Sequence, residues 1–142
     1  MGSEIGLIVA SHGTLAQSLV VTVEMILGRK TSLQPFDFPE NEPANVSAKK
    51  LKTLISKSNH GRGVLILSDL FGGTPGSLAL SMLEEEAVEV ITGVNLPMAI
   101  AAATLEPHLE LSAAAETLMR TGREGIKEAG RILKGKHPGK DK

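Results

Sequence analysis

Two unbroken apolar runs dominate the pattern of this chain: Ile5-Gly6-Leu7-Ile8-Val9-Ala10 and Val64-Leu65-Ile66-Leu67-Ser68. Neither alternates with polar residues, as a half-exposed strand would. They read as strands covered on both faces. Each leads through a glycine-bearing turn into helical spacing. Residues 15–27 place Leu15, Leu19, Val23, Ile26 and Leu27 at that spacing, and Gly28 suits the helix end. Residues 32–38 form a weaker strand that carries Leu33 and Phe36, and Pro35 within it requires a position where no ladder donor is needed. Asn41 to Ser58 reads as a helix, with Asn41 as cap, Pro43 in the first turn, and Val46, Leu51, Leu54 and Ile55 as the buried stripe. Thr74 to Leu83 reads as a helix with Pro75 in its first turn, and Ala87 to Thr92 as a strand. Leu96 to Thr104 and Ser112 to Thr121 read as helices separated by Glu106-Pro107. The alternation of strand and helix predicts the α/β class: a doubly wound, mostly parallel open sheet with helices on both faces.

Composition narrows the function. A chain of 142 residues suits one domain, placed at residues 1–133, while the Lys-, Gly- and Pro-rich stretch 134–142 reads as a flexible basic tail or the stump of a linker. The formal net charge is −1, cationic residues are dispersed until the tail and the only aromatics are three Phe, which argues against nucleic acid as a partner. With no cysteine, thiolate catalysis, disulfides and Cys-ligated zinc are excluded. No apolar stretch is long enough to insert in a membrane, and the N-terminus does not read as a signal peptide, so the default compartment is the cytoplasm.

The chemistry-bearing residues follow the two central strands. Ser11-His12-Gly13 comes after the first, and Asp69-Leu70-Phe71-Gly72-Gly73-Thr74-Pro75 after the second. In a parallel sheet, strand C-termini share one edge, where ligands bind. His12 and Asp69 are therefore expected to meet there. A neutral imidazole is a nucleophile at physiological pH. An aspartate on one ring nitrogen fixes the tautomer, offsets developing positive charge and leaves the other nitrogen to attack. The amides of Gly13 and Thr14, and those of Gly73 and Thr74, begin two helices and could hold phosphoryl oxygens, with the Thr74 hydroxyl as a further donor. No cofactor or metal is called for. Taken singly, each element has an ordinary reading: a loop histidine, a turn aspartate, and a glycine turn that is no Walker P-loop because no Gly-Lys-Ser/Thr follows. His60, His108 and His137 read as surface residues, and Glu84-Glu85-Glu86 as a solvated helix end. Only the co-occurrence argues for a site.

At Ile8-Val9-Ala10-Ser11-His12-Gly13, Asp69-Leu70-Phe71-Gly72-Gly73-Thr74-Pro75 and Thr92-Gly93-Val94-Asn95-Leu96-Pro97-Met98 the chain resembles the IIA domain of mannose-family sugar phosphotransferase systems. Thr121-Gly122-Arg123-Glu124-Gly125-Ile126 matches that family as well, and the resemblance runs in order from about residue 5 to residue 128. It implies a flavodoxin-like three-layer sandwich and a cytoplasmic phosphocarrier. His12 would be the phosphorylated residue, Asp69 its partner and Thr74 the hydroxyl near the phosphate. The donor would be the phosphocarrier HPr and the acceptor a IIB domain or protein, with only indirect association with a membrane IIC/IID permease. The residues themselves place the Asn95 amide near the site. The resemblance also implies a homodimer, in which the segment after Gly122 forms an antiparallel edge strand exchanged between subunits; periodicity instead lets Ile126, Ala129, Ile132 and Leu133 continue a helix. A regulatory, phosphorylation-switched interaction module and a phosphocarrier subunit related to dihydroxyacetone kinase are the alternatives. A nucleotide-binding flavodoxin-like domain is disfavoured, because no aromatics are placed to flank a flavin ring.

Overall fold

A computed structural model of the chain describes residues 4–70, 73–84 and 87–135, without the side chains of residues 73–76 and 84. The elements run β1 (Gly6–His12), α1 (Leu15–Leu27), β2 (Gln34–Phe38), α2 (Ala44–Ser58), β3 (Val64–Ser68), α3 (Gly73–Ser81), β4 (Val88–Thr92), α4 (Leu96–Ala103), α5 (Leu111–Glu124) and α6 (Ala129–Leu133), with a short 3₁₀ turn at Met82–Glu84 between α3 and β4. The four strands form one parallel sheet in the order β2-β1-β3-β4. The α/β expectation holds, and the described sheet is wholly parallel.

Alternation along the strands builds two cores. Leu7, Val9, Leu65, Leu67 and Ile91 face one side, where Ala16, Val20, Val23, Met98, Ala99 and Leu118 cover them from α1, α4 and α5. Ile8, Ala10, Ile66 and Val88 face the other, under Leu51 and Ile55 of α2 and Ala79 of α3. Both faces of β1 and β3 are thus dry, which accounts for their unbroken apolar runs. The weaker strand β2 lies at the sheet border, where Pro35 removes no inner ladder bond.

The structure corrects several local expectations. Leu15 and Ile26 are exposed, and the core face of α1 is Ala16, Val20 and Val23. This helix is apolar on most sides, so periodicity could not choose its face. Asn41 does not cap α2, which begins after Pro43. Val46 is exposed and Ser47 takes the inward place, its hydroxyl donating to Glu42 Oε2 at 2.6 Å. Gly122 does not break the last long helix: it lies inside α5, because a residue without a side chain lets the helix close on Met98 of α4. Residues 129–133 are helical in this single chain, not strand, and the helical turn after α5 is interrupted at 125–128. Phe71-Gly72, Glu85-Glu86 and residues 136–142, including His137 and most of the tail, lie outside the described residues.

One glycine in β1 is required by packing. A Cβ at Gly6 would run into the Ser58 carbonyl, with its carbon only 2.8 Å away, and backbone cannot yield as a side-chain tip can. Gly6→Ala is expected to cost about 2–3 kcal/mol through overpacking and to lower Tm by roughly 10 °C, measured by calorimetry.

Candidate functional site

The sheet order makes the site. The chain leaves β1 for β2 on one side and returns to place β3 on the other, so the C-terminal ends of β1 and β3 flank the point where the winding reverses. Their paired register runs from Gly6↔Val64 to Ala10↔Ser68. One step beyond, the Asp69 amide donates to the Ala10 carbonyl at 3.3 Å. There the Asp69 side chain replaces the ladder. Its Oδ2 accepts the His12 amide at 2.9 Å and stands 2.9 Å from His12 Nδ1, while Oδ1 accepts the Leu70 amide at 2.8 Å.

The two side chains differ in exposure: 46% for His12 and 11% for Asp69. Burial works to raise the Asp69 pKa, but the hydrogen bonds from the His12 amide and ring and from the Leu70 amide outweigh it, and the carboxyl sits below its ordinary value of 3.8. Opposite an ionised carboxylate, Nδ1 is the hydrogen-bond donor. In the neutral ring this places the proton on Nδ1 and the lone pair on Nε2. An imidazole oriented in this way, on a half-exposed side chain, is suited to attack an electrophile brought from outside.

The turn after His12 reaches α1 through Gly13, whose φ of 56° is the left-handed conformation that glycine adopts without strain. Thr14 occupies the N-cap position, yet its side chain makes no capping bond. The caps come from neighbouring strands. Ser11 Oγ accepts the Ala16 amide at 2.6 Å, and Asp37 Oδ1, at the end of β2, accepts the Gln17 amide at 3.2 Å. The amides at the very start of the helix, at Thr14 and Leu15, have no intrahelical partner by construction, and both residues are exposed. On the α2 side, a cavity of about 380 Å³ opens beside the ring, lined by His12, Gly13, Phe38, Pro39, Glu40 and Glu42 among others.

The structure brings His12, Asp69, Gly13 and Thr14 to one edge, as their strand-end positions required. α3 begins at Gly73, three positions after Leu70, with Thr74 in its first turn; the Thr74 side chain lies outside the described residues. Asn95 does not offer a free amide to the site. Its Oδ1 accepts the Met98 amide at 3.0 Å as the α4 cap, and its Nδ2 donates to the Gly122 carbonyl at 2.9 Å, so the side chain is spent on joining α4 to α5. His60 and His108 are exposed, away from the site. Sequence reasoning did not assign roles to Ser11 and Asp37 as caps. The hydroxyl next to His12 was visible, but only the parallel pairing Ser11↔Asp37 shows why both reach α1.

Among the described residues no helix is long and apolar enough to cross a membrane. A family model described as "PTS system fructose IIA component" matches residues 6–119. The chain is 36% identical over 128 residues to the PTS system mannose-specific EIIAB component of Escherichia coli K12, which covers 87% of this chain and 39% of that protein, so it spans about two fifths of the length of that relative. It is 31% identical to the PTS system fructose-specific EIIA component of Bacillus subtilis, over 75% of this chain and 74% of the relative. Among solved structures, the mannose/sorbose specific IIA subunit of the phosphotransferase system from Enterococcus faecalis superposes with a TM-score of 0.79 at 26% identity, covering 88% of this chain and 94% of the other. With the family model covering most of the chain, and the same fold in a solved IIA subunit, this chain belongs to the fructose- and mannose-type IIA component family of the sugar phosphotransferase system.

Proposed function

We propose that this protein is a phosphoryl carrier of a sugar phosphotransferase system in which His12 Nε2 takes a phosphoryl group from phospho-HPr and passes it to a IIB domain or protein. The observation that carries the reading is the 2.9 Å contact between His12 Nδ1 and Asp69 Oδ2, on a histidine side chain that is half exposed. In the forward step the Nε2 lone pair bonds to phosphorus as the donor's N–P bond breaks, and its electron pair returns to the donor ring. The proton stays on His12 Nδ1, the ring gains positive charge and Asp69 offsets it. The amides that open α1, with those of Gly73 and Thr74 and the Thr74 hydroxyl, are positioned in sequence to hold the phosphoryl oxygens. The second transfer reverses these roles toward the acceptor. Both carriers need the same exposed nitrogen, so they use overlapping faces around the strand C-termini in turn, and the permease is reached only through IIB. Such work suits the cytoplasm.

A homodimer belongs to the same reading. The β4 side of the described sheet has no neighbouring strand, and Ile126, Ile132 and Leu133 after α5 are exposed apolar residues of the kind a second copy would cover. Sedimentation of the full chain should give a dimer and a chain ended at Glu124 a monomer; a dimer that persists without residues 125–142 counts against exchange of that segment.

Incubation with phosphoenolpyruvate, enzyme I and HPr should add one phosphoryl group by intact mass, acid-labile and base-stable, and His12→Ala should take none while keeping its Tm, since the ring is half exposed. Label retained on the His12→Ala chain would refute the assignment.

Asp69→Asn should slow transfer by roughly 10- to 1000-fold, the range for losing a preorganised electrostatic partner. The same substitution has a pH signature. The folded carboxyl titrates below the unfolded one, so its stabilisation is complete above the ordinary value of 3.8 and is lost as pH falls through the depressed value. The stability gap between wild type and Asp69→Asn in urea unfolding should therefore be constant from neutral pH down to about pH 4 and close below it.

A further inference from the structure

Three of the polar groups of His12 are held by protein. Its amide and Nδ1 are bound by Asp69, and its carbonyl accepts the Ser11 hydroxyl at 3.0 Å. Ser11 is itself fully buried, and its oxygen also accepts the Ala16 amide at 2.6 Å. One hydroxyl thus uses its donor on the residue that bears the nucleophile and its acceptor on the first turn of α1. Between these two anchors lies the exposed Gly13-Thr14 turn that follows His12.

We infer that Ser11 is a positioning residue for phosphoryl transfer, fixing the distance between the His12 nucleophile and the amides that open α1. The inference rests on the carrier function proposed above. It follows from the connectivity: Asp69 sets the ring from the β3 side, whereas the orientation of α1 relative to His12 is set by Ser11, with Asp37 holding the next amide from β2. Loss of the Ser11 hydroxyl leaves the His12 carbonyl without its side-chain donor and the Ala16 amide without its acceptor. The turn is then free to shift, and a free Ala16 amide competes for the phosphoryl oxygens from a deeper position. A misplacement of this kind acts on the transfer step and not on recognition of the donor, because Ser11 is out of reach of any partner surface.

The test is rapid-quench transfer of label from phospho-HPr to the full-length chain, with rates expressed per folded molecule. Ser11→Ala should lower the limiting rate at saturating donor by roughly 10- to 100-fold, with the half-saturating donor concentration unchanged within about twofold. Ser11→Thr, which keeps the hydroxyl, should restore the rate to within about threefold of wild type. If the alanine chain does not fold, Ser11→Cys, similar in size but a weak hydrogen-bond partner, takes its place with the same expected loss. An unchanged limiting rate, a loss confined to donor half-saturation, or a folded threonine variant as slow as the alanine one overturns the inference. A wild-type chain that takes no label, indistinguishable from His12→Ala, instead fails the carrier reading itself and removes the ground on which the Ser11 role stands.

Discussion

A single carboxylate oxygen, Asp69 Oδ2, joins the ends of β1 and β3 by receiving both the amide and the ring of His12. That double acceptance is possible only because the two strands are parallel and adjacent: neighbouring strands lie about 4.8 Å apart, and parallel neighbours finish on the same edge. Were β3 antiparallel to β1, residue 69 would lie at the far edge of the sheet from residue 12. The two apolar cores that enforce the strand order are therefore what bring together residues 57 positions apart in the chain. At the site the ladder itself is continued by a side chain.

The same economy governs the start of α1. A helix with a conventional cap would use its own Thr14 side chain on the first-turn amides. Here the caps are Ser11 and Asp37, one from each of two neighbouring strands, which ties the helix to the sheet at the point where its positive dipole end meets the reactive edge. Thr14 remains exposed at the helix start, next in the chain to the Gly13 turn. Local sequence preference has given way to a tertiary arrangement that leaves donors available.

The central strands were legible in the sequence because burial on both faces demands an unbroken apolar run, bounded here by turn residues. The site histidine and aspartate were legible for the same reason, as one ends the first of these strands and the other directly follows the second. What could not be read was set by contacts between distant elements. On α1, with apolar residues on most sides, the choice of Ala16 and Val20 over Leu15 and Ile26 depends on how close the helix lies to the sheet. On α2, Ser47 is buried in place of Val46 because Glu42 supplies a partner for its hydroxyl. Asn95 looked like a site amide and is instead a clasp between α4 and α5, since the Gly122 carbonyl that receives it lies 27 residues away in sequence. Beyond Gly125 none of the described residues is buried, and the pattern of Ile126, Ile132 and Leu133 alone does not select between a helix and an edge strand.

The two borders of the sheet are not equivalent. On the β2 side, Pro35 has no N–H to offer an incoming strand, and proline at a border is a known deterrent to pairing. The β4 side has no such residue in Val88–Thr92. Growth by strand addition is therefore disfavoured at the β2 border and unhindered by proline at the β4 border of the described sheet. Two molecules that met through their β4 borders would leave the proline-bearing borders facing outward. Assembly by that route would be self-limiting, because a ribbon of sheets would have to propagate through the proline-bearing border.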